Sequence, residues 1–319
     1  MTTPSAEPGV GAPGPGRGPV RARIKAASQV AWLVVVAGFA VRFAWRHADE
    51  LAAVDLASGG SAWVVALLYV LGAKVMISLM VHASWRAAGA DLGLAQAVYT
   101  YNMSQLPKYV PGGIWPYVNR VRLARARSLD FPRIWSGLAM ETAMLLGGAV
   151  VLAALAYDRD TLLPAVGVAV PDDWIAPARA GALVLVGVVV VAAAARVPHR
   201  GALARAVVLT LTAWALLGLS FHAMVVGMAG SGALTGAAAG AVGLVPTAGL
   251  FAFAWTLGFV AFFSPAGIGV REVLLGLGLA GVGPPAVVAA IVVGHRLVYL
   301  AADVLCAGAA LALFRPGSR

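Results

Sequence analysis

Of the 319 residues, 61% are hydrophobic and only 11% charged, about half the charged fraction of a soluble globular domain, so an ordinary soluble enzyme is excluded. The formal charge of +10 comes in short clusters between apolar runs, where the positive-inside rule places basic residues, which argues against nucleic acid as a partner. Apolar runs over 28–45, 61–81, 134–157, 178–195, 206–228, 245–263 and 285–313 approach or exceed the roughly 20 residues a helix needs to cross a bilayer, and none alternates in polarity as barrel strands do.

In chain order, residues 1–27 read as a disordered basic cytoplasmic tail, rich in glycine and proline and ending in Arg17, Arg21, Arg23 and Lys25. The first apolar run continues past Arg42 to Trp45 without a clear small-residue cleavage site, so it reads as a retained span, with a secretory signal as the competing reading. Arg86 marks 82–91 as cytoplasmic, and Arg120, Arg122, Arg125, Arg127 and Arg133 do the same for 120–133. The stretch between them must then enter and leave on one side, and it is broken at Pro107, Pro111, Gly112, Gly113 and Pro116. The acidic stretch 158–177 is external, Arg196, Arg200 and Arg205 are internal, 229–243 is external, and Arg315 and Arg319 are internal. Residues 244–283 therefore form a second hairpin, entered from the opposite face and broken at Ser264, Pro265, Gly267 and Gly269. The competing reading is that these prolines and glycines only kink ordinary spans.

The resulting fold class is an all-α polytopic helical membrane bundle, six full spans plus two broken re-entrant hairpins arranged as inverted repeats. The halves cover about 28–157 and 178–313 of a single membrane domain 28–314, with 315–319 as a short cytoplasmic tail. The distance from the start of each half to its central proline, Pro111 or Pro265, differs by about four residues. Inverted repeats with paired broken helices are a recurrent architecture of secondary transporters, with the substrate site near the midplane at the repeat interface. Arginine far outnumbers lysine, which occurs only at positions 25, 74 and 108, and alanine, glycine and valine abound. That bias suggests a GC-rich bacterial genome, so the expected location is the bacterial cytoplasmic membrane, multi-pass, with both termini cytoplasmic.

The most specific segment runs from Gln105 to Arg120 and contains Lys108, Tyr109, Pro111, Gly112, Gly113, Trp115 and Tyr117. Prolines remove backbone donors and glycines allow close approach, so peptide groups here are freed to face a ligand or water. Lys108 and Arg120 bring positive charge to the opening, which suits a phosphate headgroup; the alternative is an interfacial turn with snorkelling cations. In the second segment, Pro265, Gly267 and Gly269 precede Arg271 and Glu272. These two residues open a half-helix, where the N-terminal dipole favours Glu272 and freed amides hold an anion. A carboxylate at membrane depth is a functional candidate by default, and an internal ion pair with an arginine is the structural alternative.

KYVPGGIWPYVNR and PAGIGVRE, set in an all-helical chain of this length, resemble the lysylphosphatidylglycerol synthase transmembrane-domain family of flippase-like integral membrane proteins, over about residues 28–313. In two-part synthases of that family a membrane flippase domain precedes a soluble domain that transfers lysine from tRNA to phosphatidylglycerol. This sequence stops at Arg319, just past the last apolar run, so the resemblance implies a lipid-translocating module without the aminoacyl transfer.

Further charged or polar residues lie within apolar runs: Lys74, Glu141, His295, Arg296, Tyr299 and Asp303. Such groups face a bundle interior and pair. Arg296 is a candidate anion contact, and Lys74, Glu141, His295, Tyr299 and Asp303 are candidates for coupling or pairing. His222 reads as a packed histidine. The glycines of 276–281 fit a dinucleotide-binding pattern but lack the strand and acidic partner, and suit helix packing instead. The lone Cys306 has no partner for a disulfide, and the five histidines show no metal-ligand spacing. No catalytic constellation is visible, so the sequence is not read as an enzyme, and neither a cofactor nor a metal is implied.

The expected function is translocation of an anionic or polyprenyl-linked lipid headgroup. Lys108, Arg271 and Arg296 hold the headgroup and Glu272 gates or couples to protons. The alternatives are a secondary transporter for a small organic anion and a non-catalytic membrane partner of a separately encoded lipid-modifying enzyme. Membrane lipids are the expected partners.

Overall fold

The computed structural model describes residues 31, 34–53, 60–90, 92–109, 115–126, 128–156, 171–228, 243–261, 264–280 and 282–314. Pro111, Gly112, Gly113 and both expected tails lie outside the described residues. The described residues are predominantly helical, with no strand among them. Its helices are α1 (34–46), α2 (Ala48–Ala53), α3 (Gly60–Ala87), α4 (Leu94–Met103), α5 (Trp115–Arg125), α6 (Phe131–Leu155), α7 (Asp172–Arg196), α8 (Arg200–Met228), α9 (Leu244–Val260), α10 (Val270–Gly278) and α11 (Pro285–Phe314).

Five of these, α3, α6, α7, α8 and α11, are long and apolar enough to cross a membrane. The first apolar run of the sequence contains α1. Helix α7 makes the membrane setting plain, because no residue of its apolar window is buried inside the protein. Val184, Leu185, Val188 and Val191 are all more than half exposed. A helix apolar on every side and uncovered by protein needs lipid around it. The protein is a multi-pass membrane protein.

Local signals account for the breaks and starts. Asp130 caps α6 by accepting from the Arg133 amide, with Pro132 in the first turn where its missing donor costs nothing. After α4, Ser104 folds its hydroxyl back onto the Thr100 carbonyl, and Pro107 follows in a 3-10 turn, Leu106–Tyr109. After α9 a second 3-10 turn, Pro265–Gly267, precedes α10. Gly267 there has φ +73°, and a Cβ on it would stand 3.2 Å from the Gly258 Cα on α9. Backbone meets backbone at this point, and only glycine fits.

The packing repeats itself. Helices α3 and α8 form the most extensive contact, and the two 3-10 turns touch each other. If α3 is exchanged with α8, α4 with α9, α5 with α10 and α6 with α11, the other main pairs interchange. The α4–α11 pair maps onto α9–α6, α3–α11 onto α8–α6, α3–α4 onto α8–α9, and α5–α6 onto α10–α11. The contacting faces carry small residues that admit large ones: a Cβ on Gly137 of α6 would lie 2.6 Å from the Trp85 ring of α3.

Candidate anion-binding site

Where the two turns meet, a cavity of about 290 Å³ lies between the halves. Its apolar side includes Leu145, Trp214, Leu217, Trp255 and Phe259, and its polar side includes Lys108, Arg120, Arg271 and Arg296. Such charges inside an apolar bundle are costly unless paired. The pairing therefore decides what the cavity can hold.

Asp303 of α11 is buried and serves three groups. Its Oδ1 lies 2.5 Å from Lys74 Nζ of α3, and its Oδ2 lies 2.6 Å from Lys108 Nζ and accepts from the Tyr109 hydroxyl at 2.7 Å. One carboxylate thus ties α11 to α3 and to the first break. Tyr299, one helical turn earlier on α11, offers its ring to both ammonium groups, 4.2 Å from Lys74 Nζ and 5.1 Å from Lys108 Nζ.

The second break is tied to α11 by Arg296. Its guanidinium meets Glu272 at 3.2 Å and donates to the Ala266 carbonyl at 3.0 Å. Glu272 in turn accepts from the Gly269 amide at 2.7 Å, closing the start of α10. Ala266 holds φ 51°, a conformation that disfavours any residue with a Cβ.

Arg120, expected to bring positive charge to the first break, does line the cavity. Helix α5 continues to Arg125, and Arg120 turns inward, buried, to pair with Glu141 of α6. Glu141 also accepts from Trp85 Nε1 at 2.8 Å, and the Arg120 guanidinium sits 5.0 Å from the centre of the Tyr101 ring. Trp85 packs over Gly137, one turn before Glu141, which is how its ring nitrogen reaches the carboxylate.

Arg271 differs from the other three cations. It is 5% exposed, lines the cavity and lies over Phe251, its Cζ 4.4 Å from that ring centre and 5.4 Å from the Tyr299 ring centre. Among the described residues its guanidinium has no ion pair and no hydrogen bond.

The residues singled out in the sequence are distributed as follows. Lys108, Tyr109, Arg120, Gly267, Arg271, Arg296, Glu141 and Tyr299 all line the cavity. Lys74, Asp303 and Glu272 lie one layer behind, each bound to a lining residue or, for Lys74, to the shared Asp303. Pro265 and Gly269 shape the second turn without lining the cavity. Trp115 is 46% exposed and stands outside it. His295 is buried away from the cavity. The Ser220 hydroxyl donates to the Ala66 carbonyl, so it accepts from His295 Nε2 at 3.0 Å. The rings of Phe221 and Phe251 meet His295 edge to face. His222 is likewise engaged, with Nδ1 3.0 Å from the Thr247 hydroxyl.

Sequence reasoning missed Tyr101 and Gln105, which line the cavity, and Trp85 behind it. Tyr101, Gln105, Lys108 and Tyr109 recur at helical spacing, a signal that continues one face of α4 through the break. Trp85 carries no comparable signal, since its partner lies on another helix. Neither protein-family models nor curated proteins give a match to this chain.

Proposed function

We propose that this protein is a flippase-like membrane transporter in which the cavity between the two broken helices shelters the anionic headgroup of a lipid while its chains stay in the bilayer. The observation that carries this reading is Arg271, a guanidinium buried in an apolar bundle, unpaired among the described residues and facing a headgroup-sized cavity beside Lys108. An anion at this point supplies the missing counter-charge and is spared the several kcal/mol that a charged group costs at the bilayer centre. The exchange symmetry of the packing supports alternating access by rocking one half against the other. The resemblance of KYVPGGIWPYVNR and PAGIGVRE to the lysylphosphatidylglycerol synthase transmembrane domain points the same way, to lipid handling. The basic clusters between the apolar runs support a reading in which both termini face the cytoplasm of a bacterial cell.

The test is headgroup accessibility in proteoliposomes, read as chemical quenching of labelled anionic lipids. Protein-dependent translocation that falls in Arg271→Gln supports the reading; translocation unchanged in Arg271→Gln and Lys108→Gln together defeats it. A cavity of about 290 Å³ also suits a small organic anion whole. Uptake of a water-soluble anion without lipid movement favours that second reading.

A further inference from the structure

The charge balance of the bundle narrows the guest further, on the premise that the cavity is an anion site. Five cations converge here, Lys74, Lys108, Arg120, Arg271 and Arg296, against the carboxylates of Glu141, Glu272 and Asp303. Arg120 is neutralised by Glu141 and Arg296 by Glu272. Asp303 is shared between Lys74 and Lys108, which leaves that cluster one positive charge in excess. Arg271 contributes a second, since no described carboxylate pairs with it. Both excess charges reach the cavity through side chains set on the same ring: Lys108 Nζ lies 5.1 Å and Arg271 Cζ 5.4 Å from the centre of Tyr299. The Tyr299 hydroxyl has no hydrogen-bond partner among the described residues.

We infer that the site is built for the doubly charged phosphate of a phosphomonoester and discriminates against phosphodiesters and monocarboxylates, which bring a single negative charge. Two excess positive charges in a low-dielectric pocket remain half uncompensated with a monoanion and are neutralised by a dianion. The guanidinium fork of Arg271 matches two oxygens of a phosphate, and the Lys108 ammonium serves a third as a point charge. Tyr299, whose ring both cations approach, adds its hydroxyl as a neutral donor.

The experiment measures binding to the full-length protein in nanodiscs at pH 7, where a phosphomonoester already carries most of its second charge because its second pKa is about 6. Phosphatidic acid and farnesyl phosphate are the doubly charged lipid probes, phosphatidylglycerol is the singly charged one, and glycerol 3-phosphate is the lipid-free one. The expected result is a preference for the doubly charged lipids over phosphatidylglycerol of about tenfold or more. That preference is lost in Arg271→Gln and kept in Arg271→Lys, with thermal melting showing both variants folded. Glycerol 3-phosphate competing as well as the lipids assigns the dianion to a soluble source, and failure to compete assigns it to a lipid. Equal binding of phosphatidic acid and phosphatidylglycerol, lowered together by Arg271→Gln, overturns the dianion inference and keeps the anion site. Binding of every probe indifferent to Arg271→Gln and to Lys108→Gln overturns both.

Discussion

Lys74 and Asp303, 229 positions apart, meet at 2.5 Å inside the bundle, and the second carboxylate oxygen of Asp303 takes Lys108 from the first helix break. Removing the shared carboxylate strands two ammonium groups, whereas removing Lys74 leaves Asp303 still held by Lys108 and Tyr109. Asp303→Asn is therefore expected to cost about 3–5 kcal/mol of stability, and Lys74→Met clearly less. Thermal melting of the purified variants ranks the two, and the opposite order would refute the arrangement.

Arg120 and Glu141 form a buried pair with Trp85 as a third member. Each single change, Arg120→Gln or Glu141→Gln, leaves one uncompensated charge at a cost of about 3 kcal/mol. The double variant should recover a large part of that, because neither charge is then left alone. A double-mutant cycle of denaturant unfolding checks this, and strict additivity would show that the two do not interact.

At the second break, neighbouring residues carry opposite expectations. Ala266 holds φ 51° and Gly267 φ +73°, the latter against Gly258. Ala266→Gly relieves a left-handed conformation and is expected to be neutral or stabilising by up to about 1 kcal/mol. Gly267→Ala adds both strain and a clash and is expected to cost about 2 kcal/mol or more. Gly276→Ala, in open space on α10, is the control and should be neutral or gain up to about 1 kcal/mol in helix propensity. Melting curves of the three variants settle the signs.

Arg271 should trade stability for function. Replacing a buried guanidinium that lacks an ion pair among the described residues with an apolar side chain of similar length removes an uncompensated charge. Arg271→Met is expected to melt higher than the parent without ligand, by about 1 kcal/mol or more, while losing anion binding. A lower melting temperature would mean that the guanidinium is compensated in the resting protein.

Much of this was legible in the sequence because the signals are local. The membrane class followed from unbroken apolar runs, and both helix breaks from proline and glycine, which act on their own backbone. The charged residues that line or support the cavity were recognisable as lysines, arginines and acids stranded in apolar surroundings. What position along the chain did not give was position in space. Arg120 was read both among the arginines of 120–133 and as a charge at the first break, and α5 carries it to the cavity and to Glu141. Trp115, grouped with the aromatic residues of the first break, stands outside the cavity.

Composition, hydropathy and backbone-breaking residues by themselves determined the all-helical membrane class and the two interruptions, since each depends on a residue's own chemistry and its immediate neighbours. Only the tertiary structure decided which charges cancel: Asp303 shared by Lys74 and Lys108, Glu141 taken by Arg120, Glu272 taken by Arg296. Those partners sit on different helices, and whether they meet depends on how each helix is rotated and set against its neighbours. The positive charge left over, Arg271 together with the half-compensated lysine pair, is a remainder of that packing, and it faces the cavity between the two breaks.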